Sequence, residues 1–198
     1  MMHLLVASIL LLTSGLCQAG NMETGHAVAP VWGIPQLMQS MASVKSSEKK
    51  FTERKYMSVL TTPLVSSGTL SYRAPAWLAK HTLHPRNERM VLDHGIISIE
   101  NSSGQVQRSM MVDQYPAIGA FVESIRATLA GDRKALEKYY RIELAGNAEH
   151  WHLQLLPRDP GMLRMVNKIR MEGRGNQIDT VEIWEANGNR SVMTVTTE

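Results

Sequence analysis

Polar and apolar residues alternate in short runs over most of this chain, and a helical period replaces the alternation at two places. Alternation puts every second side chain on one face of a strand, whereas apolar residues three and four apart line one side of a helix. Ile34–Val44 predicts a short helix, with Pro35 in its first turn and Leu37, Met38 and Met41 on one apolar side. Tyr115–Ala130 predicts a second, with Ile118, Phe121, Val122, Ile125 and Leu129 at helical spacing, Asp113 as a cap and Gly131 as the stop. A helical turn is expected from Asp132 to Lys138.

Strands are predicted over Lys50–Leu60, Leu64–Arg73, Trp77–Leu83, Glu88–Leu92, Ile96–Glu100 and Gln105–Val112 before the central helix. After it come Tyr140–Ala145, Trp151–Leu156, Met165–Glu172, Gln177–Glu185 and Ser191–Thr197. In the second strand Leu70 and Tyr72 share one face, while Thr69, Ser71 and Arg73 share the other. Asp93–His94–Gly95 and Asn187–Gly188–Asn189 read as hairpin turns. Short strands in series predict an antiparallel meander. The expected class is α+β: a strongly curved antiparallel sheet of about ten strands, a half-open β-barrel covered by the N-terminal and central helices. Such a sheet is either filled by its own side chains or left partly open over an apolar cavity. The long apolar stretches on both sheet and helix favour the cavity.

The first nineteen residues do not share this pattern. An apolar core, Leu4–Leu12, precedes Thr13–Ser14–Gly15 and a cleavage-like Cys17–Gln18–Ala19. Residues 1–19 therefore read as an export signal, too short for a comfortable membrane span. Residues 20–198 are the expected mature single domain, with a loose Pro/Gly-rich arm over residues 20–33. The mature chain is expected to be soluble and outside the cytoplasm. Leu16 before Cys17 is a poor fit to a lipidation site. Cleavage after Ala19 would remove the sole cysteine, and with it any disulfide, thiol nucleophile or thiolate–metal site.

Composition narrows the partners. The formal charge is +3 and is spread along the chain. The densest basic run, Lys45 to Lys55, is interrupted by Glu48 and Glu53 and reads as a solvated face. No aromatic-plus-basic module is present, so nucleic acid is not an expected partner. Of thirteen methionines, eleven lie beyond the signal, and their soft, flexible side chains suit either an irregular core or an adaptable ligand surface.

Catalytic patterns are missing. His150 and His152 are two residues apart and share a strand face, a spacing that holds a metal only if other ligands converge. No metal or other cofactor is expected. Ser66–Ser67–Gly68 lacks the nucleophile-elbow order. His81 and His84 have no recognisable acid partner, and no Gly-rich phosphate loop occurs. The chain is not expected to be an enzyme.

The run Gly68-Thr-Leu-Ser-Tyr-Arg73-Ala-Pro75, then Trp77, Pro85 and Val91-Leu-Asp-His-Gly95, resembles the core pattern of the periplasmic LolA-type lipoprotein carriers, and looks closest to a divergent LolA-like branch. The resemblance implies a half-barrel lidded by helices, whose cavity holds the acyl chains of a lipoprotein or other lipid client. It implies transit from an inner-membrane exporter to an outer-membrane acceptor, with the carrier a monomer. The residues expected to line the cavity are Phe51, Met57, Leu70, Tyr72, Trp77, Met90, Ile97, Ile99 and Met110. Leu37, Met38, Met41, Ile118, Phe121, Val122 and Ile125 are expected in the lid. By position Arg73 maps to the family's lid-latching arginine, although Ala74 intervenes before Pro75. An envelope interaction or acceptor module is the competing reading.

Overall fold

A computed structural model describes residues 32–197. The expected export signal and all but the last two residues of the expected arm lie outside them. Eleven strands form one antiparallel sheet in the order β6-β5-β4-β3-β2-β1-β11-β10-β9-β8-β7. The first meander comprises β1 (Ser46–Tyr56), β2 (Leu64–Arg73), β3 (Trp77–His84), β4 (Glu88–Asp93), β5 (Ile96–Glu100) and β6 (Val106–Met111). The second comprises β7 (Tyr140–Gly146), β8 (Trp151–Pro157), β9 (Val166–Arg174), β10 (Gln177–Glu185) and β11 (Arg190–Thr196). The two meanders join where β1 pairs with β11, with Phe51 opposite Val195.

The sheet is curved and open, with β6 and β7 at its two edges. The chain passes from one edge to the other through α2 (Pro116–Ala130) and α3 (Arg133–Tyr139). Helix α1 (Ile34–Ala42) and the short α4 (Pro160–Leu163) complete the set. Helix α4 was not expected. Its start is nonetheless written in the chain, since Asp159 accepts a hydrogen bond from the Met162 amide at 3.0 Å and Pro160 takes the first helical position.

Two local expectations are corrected. Asp113 does not cap α2; it belongs to a 3-10 turn, Val112–Gln114, and Tyr115 precedes the helix without a side-chain cap. The capping carboxylate is Asp132, which accepts from the Ala135 amide at the start of α3. The Lys45–Lys55 run is not a solvated face either. It forms most of β1, paired on both sides near the middle of the sheet, so its charges divide between the two faces. Lys49, Glu53 and Lys55 share the face of Phe51.

Side chains fill only one half of the concave face. Trp151, Leu153 and Leu155 of β8, Ile169 and Met171 of β9 and Tyr140 of β7 are fully buried against Leu37, Met38 and Met41 of α1, Leu136 of α3 and Met162 of α4. Burying each of these apolar side chains contributes about 1.5–3 kcal/mol. The residues that α2 buries fully are small: Ala120, Ser124, Ala127 and Thr128. Its two buried hydroxyls are satisfied within the helix, Ser124 Oγ donating to the Phe121 carbonyl at 2.6 Å and Thr128 Oγ1 to the Ser124 carbonyl at 2.7 Å. The Tyr140 hydroxyl donates to the Ala120 carbonyl at 3.3 Å, and burial pushes the phenol up to about 12.

The end of α2 sets how closely the helices meet. Gly131 ends the helix in the left-handed region, with φ of 66°, and a Cβ there would sit 2.1 Å from the Met38 carbonyl oxygen of α1. Both the backbone conformation and the interhelical approach require glycine. Gly175, in the β9–β10 turn, also has positive φ but no atom near its would-be Cβ. Gly175→Ala is expected to cost only the conformational penalty, about 1 kcal/mol. Gly131→Ala should cost at least twice that, because α1 must also move; urea unfolding of the two variants measures the difference.

Candidate functional site

The other half of the concave face is not filled. Between β1–β4, β10–β11 and the helices lies a cavity of about 340 Å³. That is the lower part of the range for small-molecule sites, about 300–1,000 Å³. Leu70 and Tyr72 of β2, Leu78 of β3 and Met90 and Leu92 of β4 make one wall. Ile178, Val181 and Ile183 of β10 with Met193 and Val195 of β11 make the other. Phe121, Val122, Ile125 and Leu129 of α2 form the roof, and Met41 and Val44 close one end. Helix α2 therefore serves two spaces. Its small residues enter the solid core, and its larger ones cover the cavity, Phe121 and Ile125 also packing against that core.

The expected residues separate accordingly. Leu70, Tyr72 and Met90 line the cavity, as do Met41, Phe121, Val122 and Ile125. Leu37 and Met38 are in the solid core instead. The side chain of Ile118 lies outside the described residues. Phe51 faces the same side but is buried beneath Lys80, whose Nζ is 4.9 Å from the ring centroid. Ile97, Ile99 and Met110 continue the concave face past Leu92 and Met90, beyond the cavity wall. Met57 falls one residue past the end of β1, in the turn that follows. The strand β10–β11 wall was missed, although Ile178, Val181 and Ile183 and then Met193 and Val195 stand out as apolar positions in a polar stretch.

Trp77 and Arg73 are on the opposite face. Tyr72 pairs with Leu78 and Arg73 with Trp77, so the period of two turns Trp77 away from the cavity. There the Arg73 guanidinium stacks over the Trp77 ring at 3.9 Å, and Arg89 approaches the same ring at 5.8 Å. Among the described residues Arg73 has no hydrogen bond or ion pair to a helix. The arginine that joins helix to sheet is Arg126 of α2, whose Nη1 donates to the Pro75 carbonyl at 3.1 Å. The same guanidinium donates through Nε to Glu123 at 2.8 Å and through Nη2 to Asp132 at 3.1 Å. These bonds, led by those to Glu123, hold Arg126 above its ordinary range and fully charged.

The cavity is apolar but carries charge on its floor. Lys80 Nζ donates to Glu53, and Ser191 Oγ donates to the other oxygen of the same carboxylate. Burial acts to raise the Glu53 carboxyl, but the Lys80 charge and the two hydrogen bonds outweigh it and hold the group below the usual carboxylate range. Tyr72 is shifted upward by burial, with the Arg126 charge opposing. Its hydroxyl is buried and has no hydrogen-bond partner among the described residues.

Outside the cavity, the paired histidines do meet a third group. Ligand atoms of His150, His152 and Glu172 lie within 4.8 Å of one another, because Glu172 stands opposite His152 across β8 and β9. Arg170 already occupies this cluster, 2.6 Å from Glu172 and 3.3 Å from His152 Nδ1. Asp93–His94–Gly95 is the turn expected, with φ of 44° at His94 and 81° at Gly95. No helix among the described residues is long and apolar enough to cross a membrane.

Solved structures with a similar layout include a LolA superfamily protein from Nitrosomonas europaea, at 9% identity and a TM-score of 0.46, covering 84% of this chain and 93% of that one. A DUF1329 family protein from Desulfovibrio piger has 8% identity and a TM-score of 0.46, over 83% of this chain and 89% of that one. A domain named for outer membrane lipoprotein sorting, from Vibrio parahaemolyticus, has 10% identity and a TM-score of 0.44, again over 83% and 89%. None of the three identifies a ligand for this chain. No curated protein matches it in sequence. A family profile described as outer membrane lipoprotein carrier protein LolA-like matches residues 27–196. The chain thus belongs to the LolA-like family of outer membrane lipoprotein carrier proteins.

Proposed function

We propose that this protein is a periplasmic carrier that shelters the acyl part of a lipoprotein or lipid client and conveys it toward the outer membrane. The observation that carries the reading is the unfilled half of the concave face: a cavity of about 340 Å³ with aliphatic walls and an amphipathic helix as its roof. Each acyl methylene moved from water into such a space gains about 0.8 kcal/mol. A chain of eight to ten methylenes is then held by roughly 6–8 kcal/mol before the loss of its own freedom. No covalent step is required.

Transfer also requires release. On the core side the Tyr140 hydroxyl of β7 donates to the Ala120 carbonyl of α2, and on the cavity side the roof is tied through Arg126 to the Pro75 carbonyl. A charge-assisted hydrogen bond of this kind contributes about 1.5–3 kcal/mol, small enough for the lid to open and large enough to bias it shut. An exporter or acceptor acts by changing that balance, through a better affinity for the client or for the open form.

Native mass spectrometry of the protein taken from its own periplasm, with lipid extraction of the same sample, tests the carrier reading. A near-stoichiometric acylated species is expected; a ligand-free protein that also rejects apolar fluorescent probes overturns it. Val122→Glu, which places an unpaired carboxylate in the roof, is expected to weaken binding of a neutral apolar probe at least tenfold. Arg126→Ala should speed dissociation of a bound probe by about tenfold in stopped-flow, by loss of the contact to Pro75. Arg73→Ala should leave that rate unchanged.

A further inference from the structure

The cavity wall is not electrically neutral. Among the described residues that line it, three carry charge: Lys49, Glu53 and Lys80. Glu53 and Lys80 neutralise one another. Lys49 has no ion pair and no hydrogen bond among the described residues, so one positive charge remains beside an apolar space. In a low-dielectric setting such a charge acts strongly on a ligand.

Its position is shown by the strand registers. Lys50 stands opposite Thr196, and Thr194 opposite Thr180. Because β1 and β10 both run antiparallel to β11, Lys49 near the start of β1 lies at the same end of the sheet as Gln177 at the start of β10, two strands away. Ser47, which pairs with Tyr72, is the next inward-facing residue of β1 toward the same end. Gln177 and Asn176 line that end from the β9–β10 side, where Asn176 Nδ2 donates to Ser43 Oγ just after α1. The neutral polar residues Ser47, Tyr72, Asn176 and Gln177 are thus gathered with the uncompensated ammonium at the end of the cavity that Met41 and Val44 also line. The second observation is independent of charge. Tyr72 is 3% exposed and its hydroxyl, buried at the cavity wall, has no hydrogen-bond partner among the described residues. A buried hydroxyl left without a partner is unfavourable, and a ligand oxygen would relieve it.

We infer that this end of the cavity is a headgroup subsite, and that the client is an anionic acyl amphiphile whose carboxylate or phosphate lies against Lys49 while an oxygen of its head or ester linkage accepts from Tyr72. The inference rests on the carrier reading and adds to it a sign of charge and an orientation of the bound client. The chain lies along the aliphatic walls of β10, β11 and α2. The head stays at the polar end between β1 and the β9–β10 turn. Lys80 does not compete, because its ammonium is engaged by Glu53.

Displacement of the neutral probe N-phenyl-1-naphthylamine tests this on the mature protein. Dodecanoate, dodecyl phosphate, dodecanol, dodecyltrimethylammonium and inorganic phosphate serve as competitors below their aggregation concentrations. The two anionic amphiphiles should bind about tenfold more tightly than dodecanol, the cation more weakly than dodecanol, and inorganic phosphate should not compete. Lys49→Gln should abolish the preference for the anionic amphiphiles over dodecanol, and Lys49→Arg should retain it. Tyr72→Phe should weaken the headed amphiphiles a few-fold without lowering the stability of the ligand-free protein. If wild type binds no amphiphile, the carrier reading itself fails. If it binds charged and neutral chains alike, or keeps its preference in Lys49→Gln, the carrier reading stands and the headgroup subsite is overturned. Competition by inorganic phosphate equal to that of dodecyl phosphate would likewise overturn it, by showing an anion site without an acyl requirement.

Discussion

Everything else in the structure depends on how α2 is seated. A curved sheet of eleven strands presents more concave surface than four helices can fill. The chain resolves this unevenly. Small residues let α2 approach the core over β7–β9, and Gly131 lets its end meet α1 without an intervening side chain. The helix is fixed firmly on one side, and its larger apolar residues are left overhanging β1–β4 and β11. The rigid half of the molecule thereby holds open the adaptable half. Methionine is found on both sides, at Met162 and Met171 in the core and at Met90 and Met193 in the cavity wall. Its flexibility suits both settings.

Charge follows the same division between what is settled and what is left open. The floor ion pair of Glu53 and Lys80 is closed by Ser191, so the carboxylate has both oxygens occupied. Placing such a pair within an apolar cavity is costly unless its hydrogen bonds are satisfied, as these are. Lys49, four residues earlier on the same strand face, is left unpaired by the described residues. Two positions on one strand thus have opposite roles, one supporting the wall and the other facing whatever enters.

Much of this was legible in the sequence. β2, β5 and β10 begin and end where alternation places them, and α2 ends at the glycine its pattern requires. The period of two also contained its own correction. It sets Arg73 apart from Leu70 and Tyr72, and an arginine on that face cannot reach a lid over the other one. The helix arginine that does so gives no periodic signal, since Arg126 lies beside apolar residues and its acceptor is a backbone carbonyl 51 residues earlier in the chain. Trp77 was misplaced for a related reason. Trp77 and Leu78 are adjacent and both apolar, and only pairing with β2 decides which of them faces inward. The split between solid core and cavity was not legible, because alternation shows that a face is apolar and says nothing of what covers it.

The acceptor of the Arg126 bond is main chain rather than side chain, and that has a consequence for how the protein tolerates change. A contact between two side chains is lost when either is substituted. Here the sheet contributes only the backbone oxygen of Pro75, so residues on that side of the contact are free to vary provided the loop keeps its course. The side chains of this contact all come from α2 and the cap of α3: Arg126 and the carboxylates of Glu123 and Asp132 that orient it. Sequence drift in the loop and inheritance of the lid are therefore separable, and the outer surface around Arg73 and Trp77 can diversify without loosening the roof.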